Sequence, residues 1–200
     1  MSTDKTDSSP NHADTGSSSR SSETNILESS SFSIHRVTCD DSKESPSLRE
    51  GVADLFKLYF EELYDLGCDL GFQGFQSEWT DLPGKYNFQK LFVAIESAKE
   101  ESSVDVTTAS TTLQSSQVVG CIAIRPLTES CGEVKRMYIR KSHRRNGLGK
   151  ELALAIMKHA WSEECHYEEI KLDSLERLGE AVRLYERLGF ESIPPYCECP

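Results

Sequence analysis

Apolar residues recur at Leu48, Val52, Leu55, Phe56, Tyr59 and Leu63, the spacing of a single helical face. Ser47-Leu-Arg-Glu50 ahead of them has the form of a capping box, so a first helix is predicted. Gly67, Gly71 and Gly74 interrupt it, and Phe72 to Leu82 reads as a second short helix before the Pro83-Gly84 turn. Two nearly continuous apolar runs, Leu91 to Ile95 and Val118 to Ile124, are short enough to be buried strands. The Ser/Thr-rich stretch 99–117 between them predicts a long loop insertion. A third strand-like segment, Val134 to Ile139, precedes a helix opening at Gly147 with Leu148, Leu152, Ala155, Ile156 and His159 along one side. Glu169 to Asp173 reads as another strand. A last helix carries Leu178, Ala181, Val182, Tyr185 and Leu188, with Gly189 where a left-handed cap would fall, and Phe190 to Ile193 is expected as a final strand. Strands that come first as neighbours and later alternate with helices predict an α+β domain, a mixed sheet with helices on its faces.

Residues 1–31 hold eleven serines and almost no large apolar side chains, a composition that cannot offset the entropy of ordering, so a disordered tail is expected there. The remainder, 32–200, is one domain's worth of chain. Nothing approaches an apolar run of eighteen residues, and the N-terminus lacks a basic start and an apolar core, so neither a membrane span nor a secretory signal is expected. A cytoplasmic protein is the reading, with a nuclear one left open. The seven cysteines show no metal-site spacing, which predicts reduced thiols and no bound metal.

A formal charge of -11 argues against a general nucleic-acid binder. The charge is unevenly distributed, however. Lys135, Arg136, Arg140, Lys141, Arg144, Arg145 and Lys150 stand against one acid, Glu133, across residues 133–150. An anion is expected there.

Strand, basic turn, then Gly147-Leu148-Gly149 opening a helix is an order with a direct physical use, because the first amides of a helix lack partners and carry partial positive charge. Phosphate oxygens can satisfy them. Glycines at 147 and 149 remove side chains that would hold a diphosphate off the backbone, while Arg144, Arg145 and Lys150 add charge around it. A P-loop is excluded because Arg144 stands where its first Gly belongs and Glu151 follows Lys150. The dinucleotide fingerprint fails at Leu152, the place of its third Gly.

The string Arg144-x-x-Gly147-x-Gly149 resembles the acetyl-CoA signature of the GNAT N-acetyltransferases. Val118 to Pro126, Glu133 to Ile139, Lys171-Leu-Asp-Ser174 and Leu184-Tyr-Glu-Arg-Leu-Gly-Phe190 are similar, in the same order, to that family's strands three, four and five and its fourth helix. Phe72-Gln-Gly-Phe-Gln76 and Leu82-Pro-Gly-Lys-Tyr86 further resemble a microbial small-molecule subgroup. The resemblance implies a central, mostly antiparallel sheet splayed between strands four and five and flanked by about four helices. It implies acetyl-CoA as co-substrate, its diphosphate on Arg144, Arg145, Asn146, Gly147, Leu148, Gly149 and Lys150, and its pantetheine arm along the backbone of Met137, Tyr138 and Ile139. Tyr185 matches the helix-four tyrosine that faces the cofactor sulfur. Full proton transfer from a phenol to a thiolate is uphill by about 2 kcal/mol, so hydrogen bonding to developing charge is the role it implies. Glu133 stands eleven residues before Arg144, where some members place a general base; a solvated strand end is its other reading. Asp173 either orients the acceptor or caps the last helix.

The expected reaction is direct acetyl transfer to a primary amine of a small or amino-acid-like molecule. A protein lysine or N-terminus as acceptor, and an acetyl-CoA-binding module without turnover, are the alternatives. The chain departs from the family pattern beyond Ile193, where Pro194-Pro-Tyr-Cys-Glu-Cys-Pro200 cannot supply the seventh strand that usually completes the sheet.

Overall fold

A computed structural model of the chain describes residues 31–37, 46–68, 90–97 and 113–196. The expected tail, the second short helix, the two subgroup motifs and most of the 99–117 stretch lie outside these residues. Strand β1 (Phe32–Val37) is followed by helix α1 (Pro46–Asp65), strands β2 (Leu91–Glu96), β3 (Val118–Pro126) and β4 (Cys131–Ile139), helix α2 (Leu148–Ala160), strand β5 (Glu169–Leu172) and helix α3 (Gly179–Arg187). They build a five-stranded sheet in sequential order, antiparallel except for the parallel β4–β5 pair. Among the described residues no helix is long and apolar enough to cross a membrane.

The helical periodicities reappear as packing. Val52, Leu55, Phe56 and Leu63 of α1 are buried against one face of the sheet with Val93, Cys121, Ala123 and Tyr138. Leu148, Leu152 and Ile156 of α2 are buried against the other, with Ile122, Ile124 and Val134. Central strand β3 is covered on both faces, which is why Val118 to Ile124 reads as an unbroken apolar run rather than an alternating one. Helix α1 begins at Pro46, ahead of the Ser47 expected to cap it. Proline suits a first helical turn, where its missing N–H has no partner to lose.

Two departures from the regular sheet position the site. The β4–β5 ladder covers four pairs and stops at Val134↔Leu172, while β4 runs on to Ile139 beside β3 alone. The outer edge of Lys135 to Ile139 is therefore open. Within this stretch the β3–β4 register shifts by one residue, between Cys121↔Tyr138 and Ala123↔Lys135, and Arg136 adopts a left-handed φ of 57°. This is a β-bulge, an extra residue on β4.

The expected sixth strand is a correction. Residues 190–196 form no ladder with any described strand. The turn at Gly189, whose φ is +92°, sends the Phe190 amide back to the Tyr185 carbonyl at 3.1 Å, and the Phe190 ring packs on Tyr185 at 5.6 Å. Phe190 is thereby committed to capping α3 rather than to extending the sheet.

Candidate active site

The open edge of β4, the turn before α2 and the face of α3 enclose a cleft of about 1230 Å³. That exceeds the roughly 300–1,000 Å³ of common ligand pockets and leaves room for an extended molecule. Met137, Tyr138 and Ile139 form its floor, Arg144 to Lys150 one end, and Leu178 to Leu188 a wall.

The end wall is a turn built by the backbone. Arg145 holds φ 67° and Gly147 φ 87°, the latter as the N-cap of α2. Asn146 Oδ1 accepts from the Leu148 amide at 3.2 Å, and the Gly147 carbonyl takes the amides of Lys150 and Glu151. Among the described residues the amides of Gly147 and Gly149 donate to no protein acceptor. A side chain at Gly147 would meet nothing within 4 Å, so its glycine answers to the left-handed φ. Gly149 differs, because a Cβ there would come within 3.2 Å of Leu184 and of Met137. Its smallness lets α2 approach α3 and β4, in addition to any effect on a bound phosphate.

The basic residues of the turn divide in a way the motif does not disclose. Arg144 gives both guanidinium nitrogens to Glu62 of α1, at 2.9 and 2.8 Å, and its Nε to the Ile139 carbonyl at 2.9 Å. It also lies 5.3 Å from the centre of the Tyr138 ring. The hydrogen bond from Arg144 outweighs burial and holds the Glu62 carboxyl below the ordinary glutamate value. Arg144 thus works as a strap between α1 and the turn. Among the described residues Arg145 makes an exposed 3.2 Å pair with Glu180 and Lys150 has no ion-pair partner.

Farther along the cleft, the Tyr185 hydroxyl donates to Met137 Sδ at 3.1 Å. Burial, with Tyr59 adding to it, raises the phenol well above its ordinary value. Tyr185 therefore keeps its proton across the physiological range. Glu133 is 1% exposed, deep under the α1 side of the sheet. Its Oε2 takes Arg125 Nε at 2.6 Å, and its Oε1 takes Lys135 Nζ at 2.8 Å and the Tyr196 hydroxyl at 3.1 Å. Burial pushes this carboxyl up, but the hydrogen bonds from Lys135 and Arg125 more than offset it, leaving it below its ordinary value. The solvated-strand-end reading of Glu133 is wrong for that reason: the side chain is ionised, buried and ringed by donors. Asp173 follows directly on β5 and lines a smaller cavity of about 90 Å³.

That smaller cavity shares Tyr59, Met137 and Tyr185 with the main cleft, so it lies just across the gap between β4 and β5. It also brings in two residues that the sequence reading had not assigned to a site. By spacing Tyr59 reads as a core residue of α1, and Arg136 as one of several basic residues. Arg136 is 5% exposed and hydrogen-bonds the Tyr59 hydroxyl. A buried arginine cannot be told from an exposed one by composition. Its one signal in the sequence is its place in the middle of a strand.

Comparison with known proteins bears on this geometry. Residues 60–190 match the model of the acetyltransferase (GNAT) family. An uncharacterized N-acetyltransferase of Schizosaccharomyces pombe is 32% identical over 149 residues, 74% of this chain and 81% of that protein. The uncharacterized N-acetyltransferase YjgM of Escherichia coli is 42% identical over 81 residues, 38% of this chain and 47% of that protein. Among solved structures, an acetyltransferase from Streptococcus agalactiae superposes with a TM-score of 0.58 at 19% identity, covering 82% of this chain and 86% of that one. A predicted acetyltransferase from Clostridium acetobutylicum, solved with acetyl-CoA, gives 0.52 at 15% identity over 84% of this chain and 94% of the other. The structural likeness concerns the fold, while the family match spans the cleft from Phe60 of α1 to Phe190 after α3; the chain belongs to the acetyltransferase (GNAT) family.

Proposed function

We propose that the chain is an N-acetyltransferase that carries the acetyl group of acetyl-CoA to a primary amine on a small acceptor. The observation that carries this reading is the meeting of three features in one cleft: open amides at the start of α2, an unpaired edge of β4, and a proton-bearing Tyr185.

The site suits coenzyme A by its own chemistry. A diphosphate would find the amides of Gly147 and Gly149, the positive end of α2, and the side chains of Arg145 and Lys150. An arm carrying two amide groups would find the edge of β4 from Met137 to Ile139 that β5 leaves without a ladder, where the Ile139 carbonyl is held by Arg144, and can bond to it as to a neighbouring strand. Acetyl-CoA, when bound, supplies an acetyl thioester for an amine to take. Tyr185 holds a proton at its hydroxyl on the wall near Met137 and donates it as a hydrogen bond to negative charge developing beside it. Glu133 stays ionised, with its oxygens held by Arg125, Lys135 and Tyr196, and lines neither cavity. A carboxylate this weakly basic acts through its field and through water rather than by holding the proton itself. The 90 Å³ cavity beside Tyr185 favours a small acceptor over a protein segment.

Calorimetry of the full chain with CoA and acetyl-CoA tests the donor side, and thiol release with a panel of small amines tests turnover. Association heat with both nucleotides and thiol release with at least one amine are expected. No heat with either nucleotide would end the proposal.

A further inference from the structure

We infer that Met137 is a positioning residue: its thioether sulfur holds the Tyr185 hydroxyl in the cleft and yields it when negative charge develops on the departing sulfur of acetyl-CoA. The inference rests on the acetyltransferase reading and adds to it a residue that acts through Tyr185. The Tyr185 ring is fixed from behind, with Phe190 edge-on at 5.6 Å and the Phe190 amide on the Tyr185 carbonyl at 3.1 Å. Neither contact sets the direction of the O–H, because a hydroxyl turns about its C–O bond to suit its acceptor. Among the described residues that acceptor is Met137 Sδ, at 3.1 Å.

The fold delivers that sulfur deliberately. The extra residue of the β4 bulge, Arg136 at φ 57°, turns Met137 onto the α2 face of the sheet. There its methyl lies 3.2 Å from where a Cβ on Gly149 would stand. One side chain thus runs from the first turn of α2 to Tyr185, and all three residues line the cleft. A thioether is a weak, neutral acceptor, and the sulfur of a thioester is neutral too and shares its lone pairs with the carbonyl. Before reaction the hydroxyl therefore stays with Met137. In the transfer the amine nitrogen bonds to the carbonyl carbon and the carbon–sulfur bond breaks; its electron pair stays on sulfur, and the proton lost by the nitrogen completes the thiol. The thiolate forming in between attracts the hydroxyl far more strongly than a thioether does. A hydrogen bond made only as that charge develops raises turnover without tightening the binding of the donor. Leucine fills the space of methionine but offers the hydroxyl no acceptor.

The test follows thiol release from acetyl-CoA with ethanolamine, putrescine, glycine and L-lysine as acceptors, and uses the fastest of them for the variants. Met137→Leu should lower kcat about fivefold, since a neutral hydrogen bond amounts to roughly two- to tenfold, while the KM for acetyl-CoA and the calorimetric affinity for CoA stay within about twofold. Heat with CoA also reports that the variant folds, and Met137→Ile, equally free of sulfur, takes its place where it does not. Added to Tyr185→Phe, Met137→Leu should change kcat by less than about twofold, because the group it acts through is already gone. The same loss in that background as in the parent, or an unchanged kcat in Met137→Leu alone, overturns the inference. So does a Tyr185→Phe variant as fast as the parent, or a parent chain that turns over none of these amines. Each of these outcomes leaves the nucleotide site standing. Absence of heat with CoA and acetyl-CoA in the parent chain removes the acetyltransferase reading, and the inference with it.

Discussion

The two ends of the cleft are built by opposite means. At the end proposed for the nucleotide the chain offers backbone: amides in a turn with two left-handed residues, with cations near solvent. At the end proposed for the acceptor it offers side chains: Glu133 held by Lys135, Arg125 and Tyr196, and Arg136 beside Tyr59 of α1. On the proposed reading the first end holds acetyl-CoA largely through backbone, and the second faces the acceptor. A change at the first should therefore alter affinity, whereas a change at the second should alter stability and choice of acceptor.

The largest expected effect breaks the buried end. Glu133→Gln leaves Lys135 and Arg125 facing a neutral group, at a cost on the order of 3 kcal/mol, given that Arg125 is partly solvated. Urea unfolding should show the lowered midpoint, and an unchanged midpoint would mean that the cluster is not a unit. Tyr185→Phe comes next, with turnover about a hundredfold lower, equivalent to about 2.7 kcal/mol. Its CoA affinity by calorimetry should stay within about twofold, because among the described residues the hydroxyl's hydrogen bond goes to Met137. Loss of affinity instead would make Tyr185 part of the nucleotide end. Gly147→Ala should cost roughly 1–2 kcal/mol, through the left-handed backbone alone, since its Cβ has open space. The loss should appear as weaker CoA binding, with acceptor preference unchanged. The smallest effect is in acid. The Glu62 carboxyl lies below its ordinary value of 4.5, so its pairing with Arg144 stabilises fully above that pH and is lost as pH falls below it through the folded value. This partly exposed pair contributes on the order of 1 kcal/mol. Glu62→Gln should flatten the acid limb of stability by that amount, and an identical acid limb in the variant would leave the strap without energetic weight.

The same contrast explains what could be read from the residues alone. The nucleotide end is local in sequence: seven consecutive residues, two of them glycines needed by backbone geometry, fix a turn whatever the rest of the fold does. The elements also followed from periodicity, because α1, α2 and β3 each bury a face that the apolar spacing marks. The partnership of Arg144 with Glu62 spans 82 positions, and that of Glu133 with Tyr196 spans 63. No spacing rule connects such pairs. The sixth strand failed for a related reason, since Phe190 to Ile193 has strand-like composition but the turn at Gly189 assigns Phe190 to α3. Arg136 was hardest of all, because its burial follows from the bulge, and a bulge leaves no mark in hydropathy.

The extra residue in β4 constrains how this protein can change over evolutionary time. Side chains before it and after it keep opposite parity: Val134 faces α2 from an even position, while Met137 and Ile139 face α2 from odd ones. Losing one residue here, or gaining one, would exchange the inner and outer surfaces of everything downstream in the strand, turning Tyr138 toward α2 and Met137 toward α1. Length variants of this segment should thus be far rarer than point substitutions, and where they occur they should come in pairs.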